Sequence, residues 1–367
     1  MMGRTLVIWV ALLGLLAFPS VVQAKVTGLC SNCHTMHYSQ HGSVLAAWGS
    51  GGPYQYLLIN DCIGCHSNSS GNATIVNGTP MVLTSTEPTY PPDGSSSSAL
   101  AGGNFYWLVK GNDTLGHNVY GLPEVNQDSN LGTAPGLPSS CSCHSTGMTL
   151  GFSSTRKCNG CDCCHDPAHH QDEQTDPEYP VVGTSTSWPA PYFRFLGFYD
   201  GKPHPWTFME SNTGFYGGEG IEDPDWEQNP TSSSHNEYAG ASGSDYTHSI
   251  SKYCAACHGV FHQDTGGSSP WLRHPTDYAI PNSGEYAYAF GASGGTGTYD
   301  PLVPISRPDM TSFTAVSSQV RIGTDQVQCL SCHRAHGSPY PYMLRWDYKS
   351  WPGGGTNGCA VCHTSKD

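Results

Sequence analysis

The sequence predicts a coil-rich fold of short helical turns with little strand, and three observations predict it. Glycine (44) and proline (27) fill about a fifth of the 367 residues, while only 12% are charged, about half the usual share. No long apolar periodicity of 3.6 runs through the chain, which argues against a helical bundle or a coiled coil. The third is the pairing of 16 Cys with 18 His, a surplus that points to bound metal or cofactor chemistry. The chain is not disordered by composition, since 9 Trp, 20 Tyr and 11 Phe need burial. Its net charge of −14 makes a nucleic-acid partner unsuitable.

The first element is a secretory signal at residues 1–24. Arg4 supplies the positive start, Leu6 to Phe18 an apolar run too short to span a bilayer, and Val22-Gln23-Ala24 small residues at a cleavage site. Residues 25–367 then read as a single exported unit with no membrane span. Export leaves cysteines to form disulfides or to be captured by a cofactor.

C-x-x-C-H occurs six times: Cys30/Cys33/His34, Cys62/Cys65/His66, Cys161/Cys164/His165, Cys254/Cys257/His258, Cys329/Cys332/His333 and Cys359/Cys362/His363. Two thiols about one helical turn apart can each form a thioether to a haem vinyl group. The following His then lies under the ring and can bind the iron. At this chain's Cys and His frequencies roughly 0.03 such matches arise by chance. Zinc sites do not require a His after every second Cys, and disulfides require none. Six c-type haems are expected, and they supply the core as a stack coated by a thin layer of protein. Single helical turns belong at the motifs, and one further helical segment at Asn104 to Lys110. The polar stretches Asp93 to Ser98, Ser232 to Ser244 and Gly291 to Tyr299 read as surface loops.

Six irons with two imidazoles each need twelve His, fewer than the chain has. The proposed distal set is His37, His117, either His169 or His170, His262, His274 and His336. A His three or four residues behind its own motif stays on the occupied face of that haem, so it reaches a neighbouring haem instead. Four cysteines are left over: Cys141, Cys143, Cys158 and Cys163. Two disulfides account for them; the alternative is a seventh haem on Cys141, Cys143 and His144.

Several blocks carry a resemblance beyond the bare motif. They are Cys30-Ser-Asn-Cys-His-Thr-Met-His37, Gly102-Gly-Asn-Phe105 with Gly116-His-Asn118, Cys164-His-Asp-Pro167, Cys254-Ala-Ala-Cys-His258 with His262 and Leu272-Arg-His-Pro275, and Cys329-Leu-Ser-Cys-His-Arg-Ala-His336. In order and context they resemble the outer-membrane cytochrome S family, hexahaem c-type cytochromes that polymerise into extracellular nanowires. The resemblance implies a coil-rich chain, six bis-His haems in a continuous stack and end-to-end homopolymerisation. It implies that His37 crosses to the haem of the next subunit held by Cys329, Cys332 and His333. It also implies secretion through the periplasm to the cell surface or beyond, and other redox proteins or extracellular acceptors as partners. The Cys141 to Cys158 region and Ala168 depart from the pattern, and His41, His204, His235 and His248 have no counterpart in it.

Electron transfer rather than catalysis is the expected function. A multihaem oxidoreductase needs an iron with an open face, and no C-x-x-C-K occurs here. A monomeric periplasmic shuttle is the other alternative; it differs in keeping His37 within its own chain.

Overall fold

The computed structural model describes residues 29–34, 39–40, 43–44, 57–58, 62–90, 99–119, 122, 161, 164–165, 220–243, 249–258, 274–310, 313, 315–350 and 357–365. The signal segment, His37, Cys141, Cys143, His144, Cys158, Cys163, His169, His170 and His262 lie outside them, and Cys257 and His258 are described through their backbone alone.

The chain is largely coil. Helical turns sit where the motifs do: Cys30–Asn32, Cys62–Cys65, Ile250–His258, Cys329–Ser331 and Gly358–Cys362. One cause recurs. The backbone N–H of the motif His donates to the carbonyl of the first Cys, at 2.8 Å for His34, His66 and His363, 3.0 Å for His165 and 3.1 Å for His333. That single helical hydrogen bond stacks the two cysteines on one turn and starts the His from its end. The expected helix near 104–110 forms at Tyr106–Lys110. Asn104 fixes its start, its Oδ1 accepting from the Tyr106 N–H at 2.9 Å.

Strands are two or three residues long. The largest sheet among the described residues orders Gly220–Ile221, Glu237–Ala239, Ile305–Arg307, Gln326–Val327 and Tyr278–Ala279 across its width. Within that sheet only the pairing of Glu237–Ala239 with Ile305–Arg307 is parallel, with Ser306 opposite Tyr238. The Ser232 to Ser244 stretch is therefore not a surface loop: His235 to Ala241 is buried and holds a central strand. Gly291 to Tyr299 likewise contains a strand, Thr296–Thr298.

Charge explains the first of these. Glu237 and Arg307 are fully buried and paired twice, Nε to Oε2 at 2.8 Å and Nη2 to Oε1 at 3.2 Å. Arg307 also pairs with Asp325, and Asp325 accepts from Arg321 Nε at 3.0 Å. The Phe313 ring lies 5.0 Å from both guanidinium carbons. Burial alone raises a carboxylic acid's pKa, yet hydrogen bonds from His235 and Arg307 hold Glu237 below its ordinary range. Removing one partner from such a pair costs about 3–5 kcal/mol, because the other charge stays buried. His235 belongs to this network: its ring stacks on Tyr299 at 3.4 Å, its Nδ1 meets the Thr231 carbonyl at 2.9 Å and its Nε2 lies 3.5 Å from Glu237.

Apolar side chains gather in separate clusters rather than in one core. Ile63, Leu83, Phe105, Leu108, Val119 and Leu122 form one, with Cys161 against it. The other large one centres on Ile280, Phe290, Ile305, Val320 and Trp346, with Cys332, Cys359 and Cys362 against it. Each cluster thus carries two attachment motifs: the second and third on one, the fifth and sixth on the other.

Asp277, beside the fourth and fifth motifs, gives the fold a pH dependence. Burial pushes its carboxyl up to about 7, against the hydrogen bonds of Ser249 and Ser251 and the charge of Lys252. The Cys254 and Cys329 thiols are the other titratable groups near it. The folded chain holds this proton more tightly than the unfolded chain does. Its contribution is therefore fully present below about pH 4 and is lost as pH rises towards 7. Asp277→Asn is expected to match the parent near pH 4 and to exceed it at pH 8 by up to about 4 kcal/mol. Denaturant unfolding of the haem-loaded protein at the two pH values checks this.

Candidate functional site

A haem iron needs a neutral imidazole nitrogen aimed at it, and the ring's other nitrogen tied elsewhere. Most of the described motif and distal histidines have that second tie. His66 Nδ1 donates to the Pro80 carbonyl at 2.8 Å and His333 Nδ1 to the Tyr342 carbonyl at 2.8 Å. His117 Nδ1 donates to the Ala335 carbonyl at 2.6 Å and His274 Nδ1 to the Pro275 carbonyl at 3.0 Å. His363 Nδ1 faces a side chain instead, Glu285 Oε1 at 3.2 Å. With Nδ1 so tied, Nε2 is the nitrogen by which each ring would bind an iron.

Two imidazole pairs face one another. The His165 and His336 ring centroids are 5.8 Å apart, and those of His274 and His363 are 6.2 Å apart. A metal ion between two imidazoles, with bonds of roughly 2 Å on each side, puts the centroids about 6 Å apart. The spacing of both pairs is the one that an iron held by two imidazoles would require. His336 is half-buried, its enclosed Nδ1 makes no hydrogen bond, and its ring stacks on Phe105 at 4.7 Å. Burial pushes its pKa down to about 3, with His165, His117 and His66 adding to the shift. It is thus a neutral ring at any ordinary pH, as an iron ligand has to be. Burial, opposed by the Pro275 carbonyl, also lowers the pKa of His274.

The glycine blocks are what hold His117 and His336 side by side. Gly337 pairs with Gly103 on one side and with Gly116 on the other, and the His336 N–H donates to the Gly102 carbonyl at 2.6 Å. A Cβ on Gly103 would sit 1.9 Å from the Gly337 carbonyl oxygen, and Gly103 has φ +83°. A Cβ on Gly116 would sit 2.5 Å from the His336 carbonyl oxygen. The backbones approach this closely only because neither residue carries a side chain.

The sixth motif is seated in the same economical way. Asn357 Oδ1 accepts from the Cys359 N–H at 2.9 Å, and Gly358 lies flat on Trp346, whose ring would be 2.3 Å from a Cβ there. Eleven of the motif cysteines are described. Each is exposed or half-buried and none is joined to another described cysteine in a disulfide, as thioether attachment requires. The Cys329 N–H donates to Ser251 Oγ at 3.2 Å, which sets the helix of the fourth motif against the fifth.

Sequence reasoning brought together the motif histidines and three distal candidates that the structure describes: His117, His274 and His336. It missed Glu285, which is 78 residues from His363 and has no motif of its own. It also missed three fully buried arginines, Arg307, Arg334 and Arg345. Arg334 donates to the carbonyls of Leu100 and Ala101 at 2.9 and 3.3 Å, and Arg345 to those of Leu302 and Pro301 at 3.0 and 3.1 Å.

The chain is similar to known proteins in sequence and in fold. Residues 323–367, the fifth and sixth motifs, match the family described as a doubled CXXCH motif. The chain is 24% identical over 373 residues to the C-type cytochrome OmcS of Geobacter sulfurreducens, spanning 87% of this chain and 78% of that protein. Among solved structures, the OmcS nanowires of that organism match with a TM-score of 0.52 at 19% identity, over 88% of this chain and 84% of theirs. A second structure, the outer membrane cytochrome S filament, matches at 0.47 and 20% over the same shares. In motif and in fold the chain resembles the c-type cytochrome OmcS.

Gly116→Ala is expected to force the 116–117 and 336–337 segments apart, at a cost of about 1–3 kcal/mol. The haem-loaded variant should keep its covalent haem count in intact mass and gain a high-spin absorbance band, since the backbone carrying His117 is displaced from that carrying His336. A wholly low-spin spectrum at unchanged stability would contradict the ligand-positioning role of this contact.

Proposed function

We propose that the protein is an extracellular electron conduit with six c-type haems, each held by two histidines. The observation that carries the reading is the pairing of imidazoles at the separation one metal ion requires, each pair formed by residues distant in sequence. When bound, the haems supply one-electron chemistry by cycling their iron between the ferric and ferrous states. The residues of the chain do the rest. Cys30 with Cys33, Cys62 with Cys65, Cys161 with Cys164, Cys254 with Cys257, Cys329 with Cys332 and Cys359 with Cys362 attach them. His34, His66, His165, His258, His333 and His363 bind from the attachment side. His336 faces the third motif and His274 the sixth, while His37, His117, His262 and one of His169 and His170 complete the set.

Two imidazoles per iron close the sites to small ligands and make exchange of electrons the remaining chemistry. The grouping of the motifs supports passage from one to the next: the second and third share one apolar cluster, the fifth and sixth another, and the fourth touches the fifth. Residues 25–367 act as one multihaem unit after loss of the signal segment, exported through the periplasm to the cell surface or beyond. Because OmcS forms filaments, we read this chain as a homopolymer in which His37 of one subunit reaches the haem at His333 of the next. His333 suits that role: its ring is outward, with its Nδ1 fixed on the Tyr342 carbonyl.

Intact mass of the secreted protein is expected to show six haem increments. Seven would put a haem on Cys141, Cys143 and His144 in place of disulfides; five or fewer would overturn the motif assignment. The reduced protein should bind carbon monoxide slowly or not at all. His37→Ala should leave five haems per protomer six-coordinate and shorten or abolish filaments in electron micrographs. Filaments of parental length with every haem low-spin would rule out the shared ligand.

A further inference from the structure

The sixth motif differs from the second and fifth in what its histidine leans on. His66 and His333 give their Nδ1 proton to backbone carbonyls, whereas His363 meets the carboxylate of Glu285 at 3.2 Å. The contact is built rather than incidental. Ser365 Oγ donates to the other carboxylate oxygen, Oε2, at 2.8 Å, and Thr364 Oγ1 donates to the Glu285 carbonyl at 2.7 Å. Both side chains are sheltered, with 24% of His363 and 11% of Glu285 exposed. Tyr286 covers the imidazole edge-on at 5.2 Å. On the far side His274 faces the same ring, its own Nδ1 on the Pro275 carbonyl.

We propose that Glu285 is a positioning residue for the sixth haem, which lowers that haem's reduction potential below those of the second and fifth. The inference rests on the six-haem reading. A carboxylate draws the Nδ1 proton towards itself more strongly than a carbonyl does, and this raises the basicity of the ligating nitrogen. A more basic imidazole gives more electron density to the iron and favours the ferric form. The proton stays between Nδ1 and Oε1 while one electron enters from a neighbouring haem and leaves again. Partial shelter from water keeps the carboxylate's charge effective at that distance. The haem at this end of the chain thereby becomes a site that passes electrons on rather than one that holds them.

Spectroelectrochemical titration of the haem-loaded protein tests this. Glu285→Gln keeps the shape and a neutral acceptor but removes the charge. One haem in six should shift upward, with at least a tenfold change in its ferrous-to-ferric ratio at fixed potential, about 59 mV for a one-electron couple. Ser365→Ala removes a hydrogen bond from the same carboxylate while leaving it charged, and should give no upward shift. No shift in Glu285→Gln, or the same upward shift in both variants, would overturn the proposal, the second outcome marking mere loosening. An independent reading comes from deleting attachment pairs: Cys359→Ala with Cys362→Ala should remove a component lying below those lost with Cys62→Ala/Cys65→Ala and Cys329→Ala/Cys332→Ala. A sixth haem lying above either of these also overturns it. Absence of haem from Cys359 and Cys362 in the mass of the parent protein would instead sink the six-haem reading, and this proposal with it.

Discussion

An imidazole has two ring nitrogens, and only one of them can face an iron. Much of this structure follows from where the other goes. A ring whose Nδ1 is tied to a fixed acceptor has its tautomer and its direction set before any metal arrives. In this chain the acceptors are mostly backbone carbonyls, and they come from elsewhere: Pro80 for His66, Ala335 for His117, Tyr342 for His333. A carbonyl in the interior of a helix or sheet is already engaged, whereas one in irregular backbone has its lone pairs to give. A chain that must present many such carbonyls to many imidazoles is therefore driven towards coil. The short turns and two-residue strands are the fold that this demand allows.

Coil on that scale needs other means of holding shape. The glycine contacts among Gly103, Gly116 and Gly337 bring strands of backbone together at distances no side chain would permit. The Glu237, Arg307, Asp325 and Arg321 network fixes the largest sheet by charge. Such a network is not a cheap source of stability, because burying each ion opposes the attraction between them. It is specific, however. The four charges admit few alternative pairings, and small apolar clusters admit many. Specificity is what a chain with little regular structure lacks most.

Some of this was legible in the sequence. The six motifs announce their helical turns, because the spacing that serves two thioethers is also the spacing of one turn. The glycine blocks and His117, His274 and His336 stood out by context, but that the glycines draw the backbones of His117 and His336 together is visible only in the structure. The misreading of Ser232 to Ser244 has a plain cause. Serine, glycine and asparagine signal a loop by local propensity, but Glu237 is held by Arg307, seventy residues on, and tertiary contact overrides propensity. Glu285 was invisible for the same reason. A carboxylate that serves a histidine 78 residues away leaves no periodic or local trace.

The proposed haem pairings make the sites interdependent. A histidine three residues behind its motif cannot turn back to its own iron, since the attachment histidine already occupies that face. On these pairings His336 would serve the third motif although it belongs to the segment of the fifth, and its ring stacks on Phe105 in the cluster that carries the second and third. His274 would likewise serve the sixth motif from a segment that follows the fourth. Each such crossing ties one cofactor's coordination to the folding of a segment that attaches another. Neither the segment of the third motif nor that of the sixth would then carry a complete site by itself, so neither would stand as an independent one-haem module. The same crossing that completes an iron's coordination also draws two attachment segments together, so close haem spacing follows from ligation itself and needs no separate device to impose it.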